Sequence, residues 1–461
     1  MAEPSPEHRR PALSHLLVDA RPVNHPTAGQ RGIGRYTLGL LAGLQQVGAP
    51  VVALYGTDTE AAILHGTVAD LALQPWSPAV VRAHTQPGAW YLATQLMLHP
   101  IPLDPVPRII TDSGMPVAAV MYDVIPERYP ERYQVRPQAR VQVQLRGMLT
   151  RTLDALLAIS DFAADTAADE LRFPRDRIAT IGAGFNPQFV LGVGDPWPRL
   201  RGVLQDDGRR VVVTVAGSND PRKNIDRLLR AWDSLAPATR RAHRLVVVGE
   251  VVGGFPAQAA PDRDVHFTGS ITDDQLVALN QVATLAVMPS IEEGFGLPVL
   301  EAAACGSAVI TSSVSALPEI LAEPAAQFDP YDVAAIAAAV ELALTDAKHR
   351  GVLLAAGRRA VQRCTWANVA SAVVDSLQQF GARRPRTLRP VPHRTAVVGR
   401  FDDSPVGRAN TSRVRDMTPE VTLLVDSSDS PEPTRAGPRR FPAHALGHFL
   451  PTSQFDEVTT L

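Results

Sequence analysis

Five short aliphatic runs, HLLVDA, VVALYG, VAAVMY, ALLAIS and IATIG, recur in the first part of the chain, and five more, RRVVVTVAG, HRLVVVGE, VHFTG, LAVMPS and AVITS, follow in the second. Nearly continuous apolar strands of this length, separated by longer helical patterns, are what a parallel sheet covered on both faces requires. The pattern predicts an α/β protein with two doubly wound parallel sheets, one after the other. Between them PQFVLGVGDPWPRLRGVLQDDG, residues 187 to 208, carries proline, glycine and charge without a period, and it predicts the hinge.

Helical periodicity is clearest in the second part. Ile225, Leu228, Leu229, Trp232 and Leu235 fall on one helical face after Asn224, which reads as an N-cap. Trp366, Val369, Ala370, Val373, Val374, Leu377 and Phe380 form a second stripe. Both stripes read first as core packing. From Gly381 the sequence GARRPRTLRPVPHR turns to arginine and proline and reads as an exposed linker. The expected organisation is an N-terminal Rossmann-like acceptor-side domain over 12–190 and a C-terminal Rossmann-like donor domain over 191–365. A closing helix over 366–382 and a linker over 383–394 follow. Residues 395–461 repeat the opening order of strand, glycine-containing loop, short helix and strand, and predict a truncated second copy of the N-terminal domain or a disordered tail.

Composition narrows the classes. The chain has 461 residues, 45% of them hydrophobic, enough for two cores of ordinary size. A formal charge of -2 provides no general attraction for nucleic acid or anionic membrane. The two cysteines, Cys305 and Cys364, fit neither a disulfide framework nor a zinc site, so a reducing compartment is expected. The opening residues MAEPSPEHRRPALSH do not read as a secretory signal, and no run of about 18 apolar residues occurs. A cytoplasmic location, with at most peripheral membrane contact, is the expectation.

The chemistry concentrates at corners where a strand passes into a helix. In LAVMPSIEEGFGLPVLEAAACGSAVITS, residues 285 to 312, a strand is followed by a loop with Gly294 and Gly296, and Pro298 sits where a helix begins. The amides of such a helix start favour a phosphate or a sugar oxygen. Glu293 and Glu301, eight positions apart, can both face the crevice at the strand ends, where α/β sheets bind ligands. In VVVTVAGSNDPRKNIDRLLRAW, Arg222 and Lys223 sit beside another helix start, where cations can hold a diphosphate. In PTAGQRGIGRYTLGLLAGL, Gly29, Gly32 and Gly34 lie between the first strand and first helix, so backbone can approach a ligand closely. In VMYDVIPERYPERY, Asp123 follows a buried strand and reads either as a group that orients a hydroxyl or as a turn residue. Asp262, Arg263 and Asp264 look like an Asp-x-Asp metal clamp but precede a strand, at the wrong edge of the sheet for the crevice.

Together E-G-F-G-L-P-V-L-E-A, P-R-K-N, G-I-G-R-Y and D-V-I-P resemble the motifs of retaining glycosyltransferase family four, and in particular its bacterial polysaccharide and O-antigen mannosyltransferases. The resemblance implies a GT-B fold with two domains facing a central cleft, and metal-independent transfer without a cofactor. The donor would be a nucleoside-diphosphate sugar, with mannose from GDP-mannose favoured, and the acceptor a polysaccharide or lipid-linked glycan. It implies that Glu293 touches the transferred sugar, that Glu301 binds the ribose and that Lys223 contacts the diphosphate. Gly32, Gly34, Arg222, Gly294, Phe295, Gly296 and Leu297 would complete the donor site, with Asp123 as a further catalytic residue and Arg35 a candidate ligand. Where many relatives carry an arginine this chain has Gly217 or Ser218, which leaves Arg222 for the second phosphate contact. Many relatives also carry histidine where this chain has Tyr122, and tyrosine does not ordinarily titrate near neutrality. A dehydrogenase would need G-x-G-x-x-G after the first strand, which is missing. The competing expectation is an inactive, sugar-nucleotide-binding remnant of a longer two-headed enzyme.

Overall fold

The computed structural model describes residues 13–24, 32–96, 106–135, 137–192, 194–217, 220–249, 264–383, 395–399, 422–426 and 457–460. They fall in two compact units. One lies within Met1–Leu157, Thr166–Ala179 and Ala372–Leu461, and the other within Ala158–Asp165 and Thr180–Ser371.

The first sheet contains β1 (His15–Asp19), β2 (Val51–Tyr55), β3 (Ala72–Pro75), β4 (Ala89–Ala93), β5 (Val117–Met121), β6 (Ala155–Ala158) and β7 (Ile178–Thr180), in the order β3-β2-β1-β4-β5-β6-β7. β1 runs parallel to both β2 and β4, β2 to β3, and β4 to β5. β4, β5 and β6 are buried at every position, the burial that helices on both faces produce. The aliphatic runs foretold five of these strands. β3 (ALQP) is half exposed and carries glutamine and proline at the sheet edge, and β4 (AWYLA) lacks the β-branched run that marks the others.

The second sheet contains β8 (Arg210–Gly217), β9 (His243–Gly249), β10 (Val265–Gly269), β11 (Ala283–Met288), β12 (Ala308–Ser312) and β13 (Gln327–Phe328), in the order β10-β9-β8-β11-β12-β13. Every neighbouring pair is parallel. The order reverses between β8 and β11, and this topological switch point is where such sheets bind ligands beyond their strand ends. β8 and β9 come very close there. A Cβ on Gly249 would lie 2.5 Å from the Gly217 amide nitrogen, and both glycines have positive φ, so the corner between these strand ends is bare backbone.

The stripe of the helix Ile225–Asp233 is its buried side, with Ile225, Leu228, Leu229 and Trp232 in the core. The helix Trp366–Arg383 likewise buries Val369, Ala370, Val373 and Leu377. Asn224 departs from the expected role. It occupies the N-cap position but in the left-handed conformation and makes no capping bond. Its amide instead donates to the carbonyls of Pro289 and Pro330 at 3.0 and 2.7 Å, tying this helix to the loop after β11. Asp264 accepts from Arg209 at 2.5 Å, while Asp262 and Arg263 lie outside the described residues.

Near the C-terminus β14 (Thr395–Gly399), β15 (Thr422–Asp426) and β16 (Glu457–Thr460) form a parallel sheet in the order β15-β14-β16. β14 is thus flanked on both sides, as β1 is by β2 and β4. The glycine loop and short helix expected between β14 and β15 lie outside the described residues.

Candidate active site

The loop that connects β11 to the helix Leu297–Ala304 is held in place almost atom by atom from outside. Ser312 Oγ donates to the Ser290 carbonyl at 2.6 Å, and the Ile291 amide donates to the Arg222 carbonyl at 2.8 Å. The Arg222 guanidinium donates to the Glu292 carbonyl at 2.7 Å, Ser315 Oγ accepts from the Glu293 amide at 3.2 Å, and Ser160 Oγ donates to the Gly294 carbonyl at 2.6 Å. Ser315 itself sits at φ 58, a conformation that costs a non-glycine residue energy and persists only where its surroundings impose it. A loop whose backbone is satisfied in this way does not reorganise when a ligand arrives, which is what preorganised electrostatics need.

Gly296 ends the loop at φ 117, and no side chain caps the helix that starts after it. The Val299 amide donates to the Gly296 carbonyl at 2.9 Å and Pro298 has no amide proton, so what this helix start offers an anion or a sugar oxygen is its dipole and the Gly296–Leu297 corner. Pro298 is the second helical residue, where its missing amide proton costs nothing. A Cβ on Gly296 would stand 2.6 Å from Leu317 Cδ2, in a backbone region that L side chains rarely adopt. Gly296→Ala should therefore cost about 2 kcal/mol or more and displace the helix start. The checks are chemical denaturation and nucleotide affinity, both of which should weaken together.

Glu293 lies at the centre, 9% exposed. Lys223 Nζ approaches its Oε1 at 2.6 Å, and Arg222 Nη1 approaches its Oε2 at 2.9 Å. Burial alone would raise the pKa of this carboxyl. The Lys223 and Arg222 charges, with hydrogen bonds from Lys223 and Ser290, outweigh it and hold the pKa at about 2. A carboxylate with a depressed pKa contributes stability that is present above its unfolded pKa and lost as pH falls through the folded one. The stability difference between the natural chain and Glu293→Gln should accordingly shrink by about 2 kcal/mol between pH 6 and pH 3, as measured by urea unfolding.

Of the remaining candidates of the second unit, Gly294, Phe295 and Glu301 are buried and Leu297 is half-buried. Glu301 is 8% exposed about one turn into the helix, and Phe295 lies in the loop after Gly294 at the same exposure. Asp220 was not foreseen: it accepts from the Arg222 amide and from Arg222 Nε at 2.9 and 3.1 Å, fixing the arginine that in turn fixes Glu293. Ser160 and Ser315 were not foreseen either. The only trace of them in the sequence is a serine directly after a strand run, in ALLAIS and in the residues after AVITS.

In the first unit Gly32 stands at the start of the helix Ile33–Gln46 with φ 50, and Gly34 is buried within it. Gly29 lies outside the described residues, and Arg35 is half-buried. Asp123 Oδ1 accepts from the Ile125 amide at 3.1 Å, the turn geometry that the sequence left open beside a catalytic one. The turn is braced by Arg146, almost fully buried, whose guanidinium pairs with Glu127 in two contacts, one at 2.9 Å. Tyr122 is buried, donates to the Thr94 carbonyl at 3.1 Å and meets the Tyr36 ring edge-on at 5.2 Å. Burial pushes its pKa far up, so it is no histidine equivalent. At the end of β1, Asp19 is fully buried and accepts from Arg21 at 2.8 and 2.6 Å, Tyr91 at 3.0 Å and Gln95 at 2.6 Å.

With this geometry in view, residues 198–360 match the family model described as glycosyl transferases group 1. That match lies within the second unit, and the two parallel-sheet units share the GT-B fold of the solved structures named below. Among known proteins it is 32% identical over 238 residues to serotype-specific mannosyltransferase WbdA of Escherichia coli, covering 49% of this chain and 29% of that protein. It is 29% identical over 229 residues to O-antigen chain mannosyltransferase B of Escherichia coli, covering 48% and 59% respectively. The match thus spans under a third of WbdA and somewhat more than half of the second relative. Among solved structures, Anabaena Alr3699/HepE in complex with UDP and glucose superposes with a TM-score of 0.58 at 15% identity, covering 79% of this chain and 100% of that one. WaaG, a glycosyltransferase involved in lipopolysaccharide biosynthesis, gives 0.52 at 16% identity over 78% of this chain and 98% of that one.

Proposed function

We propose that this chain is a retaining, metal-independent glycosyltransferase that moves a hexose, mannose from GDP-mannose by preference, onto a polysaccharide or lipid-linked glycan. The observation that carries the proposal is the convergence in one unit of Glu293, Lys223 and an uncapped helix start on a loop held rigid from outside. Lys223 and the helix start at the Gly296–Leu297 corner stabilise charge that develops on the departing diphosphate, and Glu293 orients the sugar. Glu301 takes the ribose hydroxyls. The acceptor hydroxyl passes its proton to a donor phosphate oxygen, so no side-chain base is needed. The mannosyltransferase names of the relatives support the sugar assignment. No helix among the described residues is long and apolar enough to cross a membrane, so a lipid-linked acceptor would be met from the membrane surface.

The test is turnover with a panel of nucleotide sugars and a glycan acceptor. Release of GDP with formation of an α-mannoside supports the proposal, and nucleotide binding without product under every pairing favours the remnant. The place of β14 between two parallel strands, which β1 also has, supports a further reading of residues 395–461 as a second N-terminal-type unit.

A further inference from the structure

The sequence leaves Arg222 for the second phosphate contact. Its geometry points elsewhere: we infer that Arg222 is a positioning residue that sets the Glu292–Glu293 segment, and that Lys223 alone of the pair meets the diphosphate. This rests on the donor site proposed above.

Arg222 is committed in three directions. Nη1 donates both to the Glu292 carbonyl at 2.7 Å and to Glu293 Oε2 at 2.9 Å, and Nε reaches Asp220 at 3.1 Å. Its own backbone takes part: within the short 3-10 helix Pro221–Lys223 its amide donates to the capping Asp220 Oδ1 at 2.9 Å, and its carbonyl accepts from the Ile291 amide at 2.8 Å. The residue is thus a staple between the turn after β8 and the loop after β11, made at backbone and side chain together. A guanidinium is a planar fork with fixed donor directions, so turning it toward a phosphate would give up a buried carbonyl and two carboxylate contacts at once. Leaving such groups unsatisfied is costly.

Lys223 is placed differently. Its ammonium donates to Glu293 Oε1 at 2.6 Å, from a flexible stem with freely turning donors. It can swing from carboxylate to phosphate without dismantling the loop. When it does so, Arg222 remains as the charge that keeps Glu293 ionised and aimed. The groups facing Glu293 are Lys223 and Arg222 from the turn after β8 and Ser290 from its own loop.

The experiment compares Arg222→Gln and Arg222→Lys with the natural chain, using GDP and GDP-mannose as probes. A positioning role predicts GDP affinity within about threefold of the natural chain for both variants. Arg222→Gln should lower kcat by about a hundredfold, and Arg222→Lys should recover part of that loss. The acid limb of the kcat profile should also move to higher pH in Arg222→Gln, because one of the two cations that hold Glu293 ionised is gone. A merely structural residue would not move that limb. A tenfold or larger loss of GDP affinity in both variants would make Arg222 a phosphate ligand and overturn the inference, as would an unchanged kcat. Asp220→Asn, which loosens Arg222 without removing it, should give the same pattern in milder form, and it carries the test if Arg222→Gln does not fold. Absence of GDP and UDP binding by the natural chain would instead remove the proposed donor site itself.

Discussion

Replacing Glu293 by glutamine should lower kcat by a factor of 100 to 1,000 while leaving nucleoside diphosphate binding intact or somewhat tighter. The two halves of this expectation have one cause. The Glu293 carboxylate is bound by Lys223 and Arg222, so an arriving diphosphate competes with it for the lysine. An amide carries no charge and competes poorly, so GDP should bind at least as well. The transferred sugar, however, loses the charged acceptor that orients it. Losing one preorganised group of this kind costs roughly 3 to 4 kcal/mol of transition-state stabilisation. The folded state should also lose about 3 kcal/mol at neutral pH, because two partly buried cations then lack their carboxylate. Added GDP should restore some of that, by supplying the missing negative charge. Steady-state kinetics, calorimetric titration and thermal unfolding read the three effects separately. A Glu293→Gln protein with the full rate would leave the carboxylate without a role in transfer.

Lys223→Ala should do the opposite on binding. Removing the ammonium leaves Glu293 paired with Arg222, so the loop keeps its shape and the stability loss should stay at about 1 to 2 kcal/mol, less than for Glu293→Gln. Nucleoside diphosphate affinity should fall by about 10- to 100-fold, the value of one charge-assisted bond to phosphate, or about 1.5 to 3 kcal/mol. The effect on kcat should add to this, since negative charge accumulates on the leaving group in the transition state. Salt offers a second handle. The natural chain should lose GDP affinity as ionic strength rises, and Lys223→Ala should lose less. Equal affinity in both proteins would place the diphosphate away from Lys223.

The parts of the molecule that repeat a local rule were legible in the sequence. β8, β9, β11 and β12 are aliphatic runs because they are buried on both faces, and Glu293, Gly296 and Glu301 stand out because a strand, a glycine loop and a helix start follow each other without interruption. What escaped were features decided by distant parts of the chain. β13 is two residues long and exists because β12 offers it an edge. Ser160 reaches Gly294 across 134 positions, and no local pattern marks that partnership. Asn224 reads as a cap because asparagine before a helix usually caps, yet two proline carbonyls nearby take its amide instead. Arg222 reads as a phosphate ligand because it adjoins Lys223 and a helix start. Only the position of the Glu292 carbonyl and of Asp220 shows that its Nη1 and Nε are already engaged.

The most direct measurement is a crystal structure of the chain with GDP-mannose or its unreactive analogue bound. The account predicts the diphosphate at the Gly296–Leu297 corner, with Lys223 Nζ moved off Glu293 to about 2.8 Å from a phosphate oxygen. Glu293 should then accept from a hydroxyl of the sugar, while Arg222 keeps its bond to the Glu292 carbonyl. A nucleotide seated elsewhere, with the Lys223–Glu293 pair still closed, would contradict it.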